Sequence, residues 1–205
     1  MDQNYLFFES IRIENGRFHL LGLHEQRIGS TLKLVFGQNY ATNLEKYLSI
    51  FDPPSEGLFK CRLRYGMTFD RPEFIAYKPK TISSLQMVVA NKLDYGLKRE
   101  DRREIEALLN KRNNCDDILM IRNGFVTDTS YCNIVFFTGK DWVTPANPLL
   151  EGVQRSFLIQ SGVIRSEQIH YKEVAHFQCF KLINAMIPWD SAPERNISGI
   201  VSFQV

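Results

Sequence analysis

The chain has 205 residues, of which 44% are hydrophobic and 23% are charged, and its formal net charge at pH 7 is +2. This composition is that of a globular protein and excludes a disordered, collagenous or low-complexity chain. The charge gives no indication of a nucleic-acid or membrane surface, and no apolar run approaches the roughly 18 residues of a membrane span. The N-terminal residues lack the basic and apolar regions of a signal peptide, so we expect a cytoplasmic protein.

The cysteines give no indication of a disulfide framework or of a metal site. Cys61, Cys115, Cys132 and Cys179 lie far apart, with no CxxC pair and no neighbouring histidine cluster. Cysteines in such a pattern are typically reduced and buried in cytosolic proteins. We therefore expect reduced, mostly buried thiols and no metal ligands.

The first eighty residues have the pattern of a small α/β unit. The predicted elements are strands over 8–13, 17–20, 59–65 and 73–77, and helices over 23–36 and from residue 42 onwards. Asn15-Gly16 favours a two-residue hairpin turn between the first two strands. Gly37 ends the first helix, and the capping-box spacing of Thr42 and Glu45 begins the second.

The remainder of the chain is predicted to be rich in strands. Strands are expected over 85–90, 118–122, 125–127, 133–137, 142–144, 169–171 and 181–187, and helices from residue 101 onwards and over 153–161. Asp101 and Glu104 have capping-box spacing at the start of the first of these helices. Asn123-Gly124 predicts a second hairpin.

The polar, proline-containing stretch 78–84 is the best candidate for a domain boundary, because it separates two strand-like runs. We therefore place a small α/β domain at 1–82 and a larger, strand-rich domain at 83–205. The fold class is α/β, of the α+β type.

Several enzyme classes are excluded because their motifs are missing. The sequence holds no HExxH, GxSxG, P-loop or GxGxxG motif. Lys98 precedes a predicted helix and lies among Arg99, Arg102 and Arg103. A helix N-terminus and neighbouring cations both lower the pKa of a lysine towards the range of a nucleophile. Taken alone, however, Lys98 has the pattern of a solvated surface lysine.

Other candidate residues also have ordinary structural interpretations when each is taken alone. Asp128 follows a predicted hairpin, where an acid is normally a solvated turn residue or a cap. Gly152 allows close backbone approach just before a helix, whose first amides suit a phosphate. His24 and Arg27 lie one turn apart on the first helix and have the pattern of a solvated face.

Taken together, the motifs resemble one known family, the fold-type IV pyridoxal-phosphate (PLP) enzymes. This group contains branched-chain and D-amino-acid aminotransferases and aminodeoxychorismate lyase. The matching segments, in chain order, are Phe8-Glu9-Ser10-Ile11-Arg12, Leu23-His24-Glu25-Gln26-Arg27-Ile28, Gly96-Leu97-Lys98, Cys115 to Met120, Gly124 to Asp128, Asn133 to Phe136, Leu149 to Arg155, and Ile183 to Pro188. The resemblance covers almost the whole chain and implies a two-domain PLP enzyme.

The resemblance also implies a role for each matching position. Lys98 carries the cofactor covalently, Arg27 binds its phosphate, and Asp128 pairs with its protonated ring nitrogen. A carboxylate there keeps the ring cationic and therefore able to accept electrons. Asn133 supports the acid, and Leu150 packs on the ring. The other cofactor-binding positions are Gly152, Val153, Gln154, Asn184 and Ala185.

Two departures from the family pattern bear on function. Asp128 replaces the family's usual glutamate and is one methylene shorter, so the backbone comes closer, a water bridges the gap, or ring protonation weakens. The aminotransferases carry a tyrosine a few residues after the lysine, and the lyases lack it. The stretch 99–103 contains no tyrosine, which favours the lyase.

Our first hypothesis is a 4-amino-4-deoxychorismate lyase, which releases pyruvate and leaves 4-aminobenzoate for folate synthesis. The alternatives are a class IV aminotransferase acting on branched-chain or D-amino acids, and a non-catalytic relative with a decayed site. The lyase substrate is dianionic, so Arg12, Arg62 and Arg64 are candidates to bind it, although each also has the pattern of a solvated strand residue. The resemblance further implies a homodimer.

Overall fold

The structure is a computed structural model that describes residues 7–40 and 43–203. The chain divides into two compact units: unit 1 comprises Met1–Pro79 and Leu97–Asp101, and unit 2 comprises Lys80–Gly96 and Arg102–Val205. The segment Leu97–Asp101 groups with unit 1, whereas the expected boundary puts it in the second domain. Within the described ranges, no helix has the length and apolarity needed to cross a membrane.

Unit 1 contains a four-stranded antiparallel sheet with the order β2-β1-β3-β4. Its elements are β1 (Phe7–Glu14), β2 (Arg17–Phe18), α1 (Leu21–Phe36), α2 (Leu44–Ser49), β3 (Leu58–Tyr65) and β4 (Glu73–Ala76). Because β2 pairs only with the C-terminal end of β1, the edge of β1 at Phe7 and Phe8 takes another partner. The Phe8 N–H donates to the Lys98 carbonyl at 3.0 Å, which explains why Leu97–Asp101 belongs to unit 1.

Residues in the left-handed region set the ends of the first elements. Asn15 (φ 47°) and Gly16 (φ 77°) form the predicted hairpin turn, and Gly37 (φ 67°) ends α1 as expected. The strand predicted over 17–20 is shorter than expected, because Leu20 adopts φ 55° and becomes the N-cap of α1.

The start of α2 differs from the predicted capping box. Thr42 lies outside the described residues, so that prediction is not tested. Asn43 is the N-cap, and its side-chain oxygen accepts from the Lys46 N–H at 2.8 Å. Glu25 of α1 accepts from the Leu44 N–H at 2.7 Å, which ties the two helices together.

The core of unit 1 is formed by alternate residues of β1 and β3 with the apolar faces of α1 and α2. Its buried members are Phe7, Ile11, Ile13, Ile28, Leu32, Leu44, Leu48, Cys61, Leu63 and Tyr65. On β1 the period of two puts Glu9 between Phe7 and Ile11 on the buried face, and Glu9 is 0% exposed. A carboxylate therefore stands where the alternation would place an apolar side chain.

Unit 2 contains a nine-stranded sheet with the order β10-β9-β8-β7-β6-β5-β13, and β11 pairs with both β8 and β12. The strands are β5 (Leu85–Val89), β6 (Asp117–Arg122), β7 (Phe125–Thr129), β8 (Asn133–Phe137), β9 (Trp142–Pro145), β10 (Arg165–Glu167), β11 (Cys179–Ile183), β12 (Arg195–Asn196) and β13 (Ile200–Val201). The helices are α3 (Arg103–Leu109), α4 (Val153–Gln160) and three 3-10 helices, Tyr171–His176, Trp189–Ser191 and Ile197–Gly199.

Two local predictions beyond residue 100 are wrong. The capping box at Asp101 is absent, because α3 begins at Arg103 and its N-cap is Arg102, which makes no side-chain cap. The strand predicted over 169–171 is replaced by the 3-10 helix Tyr171–His176. There the His170 side chain accepts from the first turn and Glu173 accepts from the His170 N–H, and this reciprocal cap stabilises the helix.

All four cysteines are free thiols. Cys61 and Cys132 are buried, and Cys115 and Cys179 are partly exposed. Burial raises the pKa of both Cys61 and Cys132 to about 12, so these two remain protonated at neutral pH.

Candidate functional site

An acid and an amide lie side by side on neighbouring strands of unit 2. Asp128 on β7 is paired in register with Asn133 on β8. Asn133 Nδ2 donates to Asp128 Oδ1 at 2.7 Å, and the Leu150 N–H donates to Asp128 Oδ2 at 2.9 Å. Asp128 is only 5% exposed. The structure therefore brings together three of the residues that the family resemblance singles out.

The environment of Asp128 suits a cationic partner. Burial raises the pKa of Asp128 to about 6, and the hydrogen bonds from Leu150 and Asn133 and the charge of Arg155 offset only part of that rise. Both hydrogen-bond donors are neutral groups. A cationic N–H placed against this carboxylate would lower the pKa again, because an opposite charge favours the ionised form.

Gly152 makes room for the amide that holds Asp128. A Cβ at position 152 would overlap the side-chain oxygen of Asn133. Asn133 Nδ2 also donates to the Leu150 carbonyl at 3.0 Å, so the amide links the acid to the loop. The φ of Gly152 is −71°, which any residue can adopt, so glycine is needed here for space.

The loop continues into a helix N-terminus without a side-chain cap. Gly152 is the N-cap of α4, and it has no side chain that could accept from the first-turn N–H groups. Val153 and Gln154 occupy that first turn and are buried. Arg155 Nη2 donates to the Pro145 carbonyl at 2.9 Å and fixes the helix against the end of β9. Backbone amides at such a terminus favour an anionic group.

Asn184 and Ala185 follow β11, whose last residue Ile183 pairs in register with Asn133. Asn184 Oδ1 accepts from the Met186 N–H at 2.8 Å, and its Nδ2 donates to Cys132 Sγ at 3.2 Å. Since Cys132 directly precedes Asn133, this turn lies beside the β7–β8 hairpin. Ala185 lies in the same turn.

Arg102 holds the tip of the β7–β8 hairpin, a role that the sequence did not predict. Arg102 Nη2 donates to the Ser130 carbonyl at 2.6 Å, and Nη1 donates to the Tyr95 hydroxyl at 3.1 Å. Its guanidinium lies 4.4 Å from the centre of the Tyr131 ring, which is 57% exposed. The arginine thereby fixes the loop that joins Asp128 to Asn133.

In unit 1, Lys98 is held beside the end of β1. Its carbonyl accepts from the Phe8 N–H, and Phe7 and Arg99 form an isolated antiparallel bridge. Lys98 Nζ lies 4.6 Å from the centre of the Phe8 ring. Both strand-like backbone pairing and ring contact therefore restrain the lysine.

Arg27 and His24 bind one buried carboxylate, which corrects the expectation of a solvated helix face. Arg27 Nε donates to Glu9 Oε1 at 2.9 Å, Arg27 Nη2 donates to Glu9 Oε2, and His24 Nδ1 lies 2.6 Å from Glu9 Oε2. His24 and Glu9 are both 0% exposed. Burial raises the pKa of Glu9, but the Arg27 charge and the His24 hydrogen bond bring it to about 2. Burial lowers the pKa of His24 despite the neighbouring Glu9.

The three arginines proposed to bind substrate share one face of the unit 1 sheet, and each pairs with a carboxylate. The pairs are Arg12–Glu14 at 2.8 Å, Arg62–Glu100 at 2.8 Å and Arg64–Asp70 at 3.3 Å. Arg62 also lies 4.5 Å from the centre of the Phe8 ring. Their role towards a substrate stays a prediction.

Comparison with known proteins identifies the family. The family model for amino-transferase class IV matches residues 68–191, which is more than half of the chain. An uncharacterized protein of Haemophilus influenzae is 35% identical over 184 residues, which cover 89% of this chain and 98% of that protein.

Solved structures show the same fold. A proposed 4-amino-4-deoxychorismate lyase from Haemophilus somnus 129pt is 31% identical, with a TM-score of 0.82 over 91% of this chain and 98% of that chain. A proposed amino-acid aminotransferase from Mesorhizobium loti is 18% identical, with a TM-score of 0.77 over 97% of this chain and 100% of that chain. The predicted resemblance and fold class are confirmed. The chain therefore belongs to the class IV aminotransferase family, whose fold-type IV members are PLP-dependent lyases and aminotransferases.

Proposed function

We propose that this protein is a PLP-dependent 4-amino-4-deoxychorismate lyase that releases pyruvate and leaves 4-aminobenzoate, a precursor for folate synthesis. The proposal includes a cytoplasmic homodimer, as the family resemblance implies. The observation that carries the choice of cofactor is the buried Asp128 carboxylate, which accepts hydrogen bonds from the neutral donors of Asn133 and Leu150 and keeps a raised pKa. When bound, PLP supplies a cationic ring that accepts the electron pair left at the substrate Cα.

The residues of unit 2 fit this cofactor. Asp128 would accept a hydrogen bond from the protonated ring nitrogen and hold its charge. Aspartate is one methylene shorter than the family's usual glutamate, and the Leu150 backbone lies close enough to donate to it. Asn133 lies against Gly152 and donates to the Leu150 carbonyl, which holds that backbone in place. Leu150 would pack on the ring. The first-turn amides of Val153 and Gln154 and the turn of Asn184 and Ala185 would bind phosphate.

The residues of unit 1 supply a base and a further phosphate ligand. Lys98 would hold the cofactor covalently when no substrate is bound, and its free Nζ would take the Cα proton as general base when the substrate is in place. The resulting ammonium would donate a proton to the departing pyruvate carbon. Arg27 would bind the phosphate with its guanidinium, whose donors match phosphate oxygens.

The lyase is favoured over an aminotransferase by two observations. The segment 99–103 lacks the tyrosine that the aminotransferases carry after their lysine. The relative from Haemophilus somnus that bears the lyase name is 31% identical over nearly the whole chain. An aminotransferase would share the cofactor residues and differ in its use of a keto acid to complete the cycle.

The test measures both reactions with the same PLP-loaded protein. Pyruvate release from 4-amino-4-deoxychorismate is followed by coupled lactate dehydrogenase and 4-aminobenzoate by its fluorescence. In parallel, branched-chain and D-amino acids are incubated with 2-oxoglutarate, and glutamate is measured. We expect equal amounts of pyruvate and 4-aminobenzoate. Glutamate without pyruvate would overturn the lyase assignment in favour of the aminotransferase.

A matched pair of lysine variants tests the role of Lys98. Lys98→Ala should lose both the visible absorbance of the bound cofactor and the lyase activity, because in this scheme Lys98 holds the cofactor and takes the Cα proton. Lys92→Ala removes an exposed lysine of unit 2 and should keep both signals. Wild-type protein that shows no visible absorbance with PLP would support the non-catalytic alternative.

A further inference from the structure

Glu9 is a fully buried carboxylate with three hydrogen-bond contacts from one helix. Oε1 accepts from Arg27 Nε at 2.9 Å, whereas Oε2 accepts from Arg27 Nη2 and lies 2.6 Å from His24 Nδ1. Since Glu9 is ionised, His24 Nδ1 must carry the donated hydrogen. Both oxygens of the carboxylate are therefore bound by two side chains that are three residues apart on α1.

Stability alone does not explain this arrangement. A buried ion pair is often no more stabilising than apolar residues of similar size, because both ions lose their hydration. Glu9 lies on the core face of β1, between Phe7 and Ile11, where an apolar residue would complete the packing. The feature that an apolar residue could not supply is the orientation of the Arg27 guanidinium.

The contacts determine that orientation. A carboxylate that binds both Nε and Nη2 fixes the plane of the guanidinium and its rotation about the side chain. Glu9 is itself fixed, because β1 pairs with β3 along its whole length and its side chain is 0% exposed. The Arg27 side chain is 14% exposed although its carboxylate partner Glu9 is fully buried, so the arginine keeps some contact with solvent.

We propose that Glu9 is a positioning residue that orients Arg27 for the phosphate of the cofactor, with His24 holding the second carboxylate oxygen in place. This inference rests on the proposed function, in which Arg27 binds that phosphate. Glu9 itself touches neither substrate nor cofactor in this scheme and acts only through Arg27.

A purely electrostatic role of Glu9 and an orienting role of Glu9 predict opposite effects on phosphate binding. If Glu9 acted only as a negative charge near the phosphate, its removal would strengthen phosphate binding, because a repulsion disappears. If Glu9 orients Arg27, its removal weakens phosphate binding although the local positive charge increases. The sign of the effect therefore distinguishes the two.

The test compares PLP with pyridoxal, which lacks the phosphate. Both dissociation constants are measured by calorimetry on the apo-protein, and their ratio reports the contribution of the phosphate. The variants are Glu9→Gln, Glu9→Asp, Arg27→Gln and the control Glu14→Gln. Glu14 lies on the same strand and also pairs with an arginine, Arg12, at 2.8 Å. Glu9→Asp keeps the charge but shortens the side chain, and circular dichroism reports whether each variant is folded.

We expect the preference for PLP to fall about tenfold or more in Glu9→Gln, Glu9→Asp and Arg27→Gln, the loss expected for a charge-assisted hydrogen bond to phosphate. Glu14→Gln should keep the wild-type ratio. A preference that is lost in Arg27→Gln but unchanged or increased in both Glu9 variants would overturn the role of Glu9 alone. A preference that survives in Arg27→Gln would overturn the phosphate role of Arg27, and with it this inference, while leaving the reaction assay to judge the lyase.

Discussion

The buried Asp128 should make the stability of the apo-protein depend on pH in a specific window. Burial raises the pKa of Asp128 from its ordinary value of 3.8 to about 6. The native state therefore binds this proton more tightly than the unfolded state does, so the free energy of unfolding falls as pH rises from about 4 to about 6. Below this window Asp128 is protonated in both states, and the free-energy cost of burying its charge vanishes.

The size of the effect follows from the difference between the two pKa values. At about 1.4 kcal/mol for each tenfold change in proton affinity, ionised Asp128 costs the apo-protein about 3 kcal/mol. Asp128→Asn carries no charge at any pH, so subtracting its free energy of unfolding from that of the wild type isolates this contribution. We expect the difference to change by about 2.4 kcal/mol between pH 4 and pH 7, because the unfolded state is already partly ionised at pH 4.

The assay is urea unfolding followed by tryptophan fluorescence. Both tryptophans, Trp142 and Trp189, lie in unit 2 with Asp128, so they report the relevant unit. The exposed Asp190 gives the matched control Asp190→Asn, which removes a carboxylate that is not buried. A difference between wild type and Asp128→Asn that stays constant within about 0.5 kcal/mol from pH 4 to pH 7 would refute the reasoning. Under the proposed function, saturating PLP should remove the pH dependence, because a cationic ring nitrogen offsets the buried charge.

Three further substitutions test the packing around the site and one cap. In thermal denaturation, Gly152→Ala should destabilise the protein by about 1–3 kcal/mol, since the new Cβ overlaps the side chain of Asn133. The control Gly22→Ala, whose Cβ would meet nothing within 4 Å, should be neutral or stabilising in the same measurement. Arg102→Ala should lower the free energy of unfolding by about 1–3 kcal/mol in urea, because the buried carbonyl at the hairpin tip loses its donor; an unchanged value would show that the tip is held by other contacts. Asn43→Ala should lower the free energy of unfolding by about 1 kcal/mol, because α2 loses its N-cap. Equal stability of this variant and the wild type would contradict the capping role.

The elements most accurately predicted from the sequence are those that short segments specify by themselves. Asn15-Gly16 and Asn123-Gly124 favour positive φ angles, and both hairpins form where these dipeptides predict them. Gly37 likewise ends α1 at the predicted residue. Such turns depend on the conformational preference of one or two residues, so they need no knowledge of distant contacts.

Predictions that depended on side-chain partners succeeded less well. The spacing of Asp101 and Glu104 fits a capping box, but capping also requires the backbone to begin the helix there, and α3 begins at Arg103. His24 has the sequence pattern of a solvated residue, yet it is fully buried against Glu9. The signal that could have found this pair was Glu9 itself, a charged residue on the apolar face of an alternating strand.

The sequence by itself determined the family, the hairpins and the order of the motifs, because these depend on residue type and spacing along the chain. Only the tertiary structure decided which side chains meet. Asp128 and Leu150 are far apart in sequence, and the amide of Asn133 joins them only because Gly152 leaves space for it. Likewise, the pairing of Glu9 with Arg27 required β1 and α1 to pack against each other. Burial raises the pKa of Asp128, whereas the charge of Arg27 and the hydrogen bond of His24 lower that of Glu9; both effects are properties of the packing and cannot be read from spacing alone.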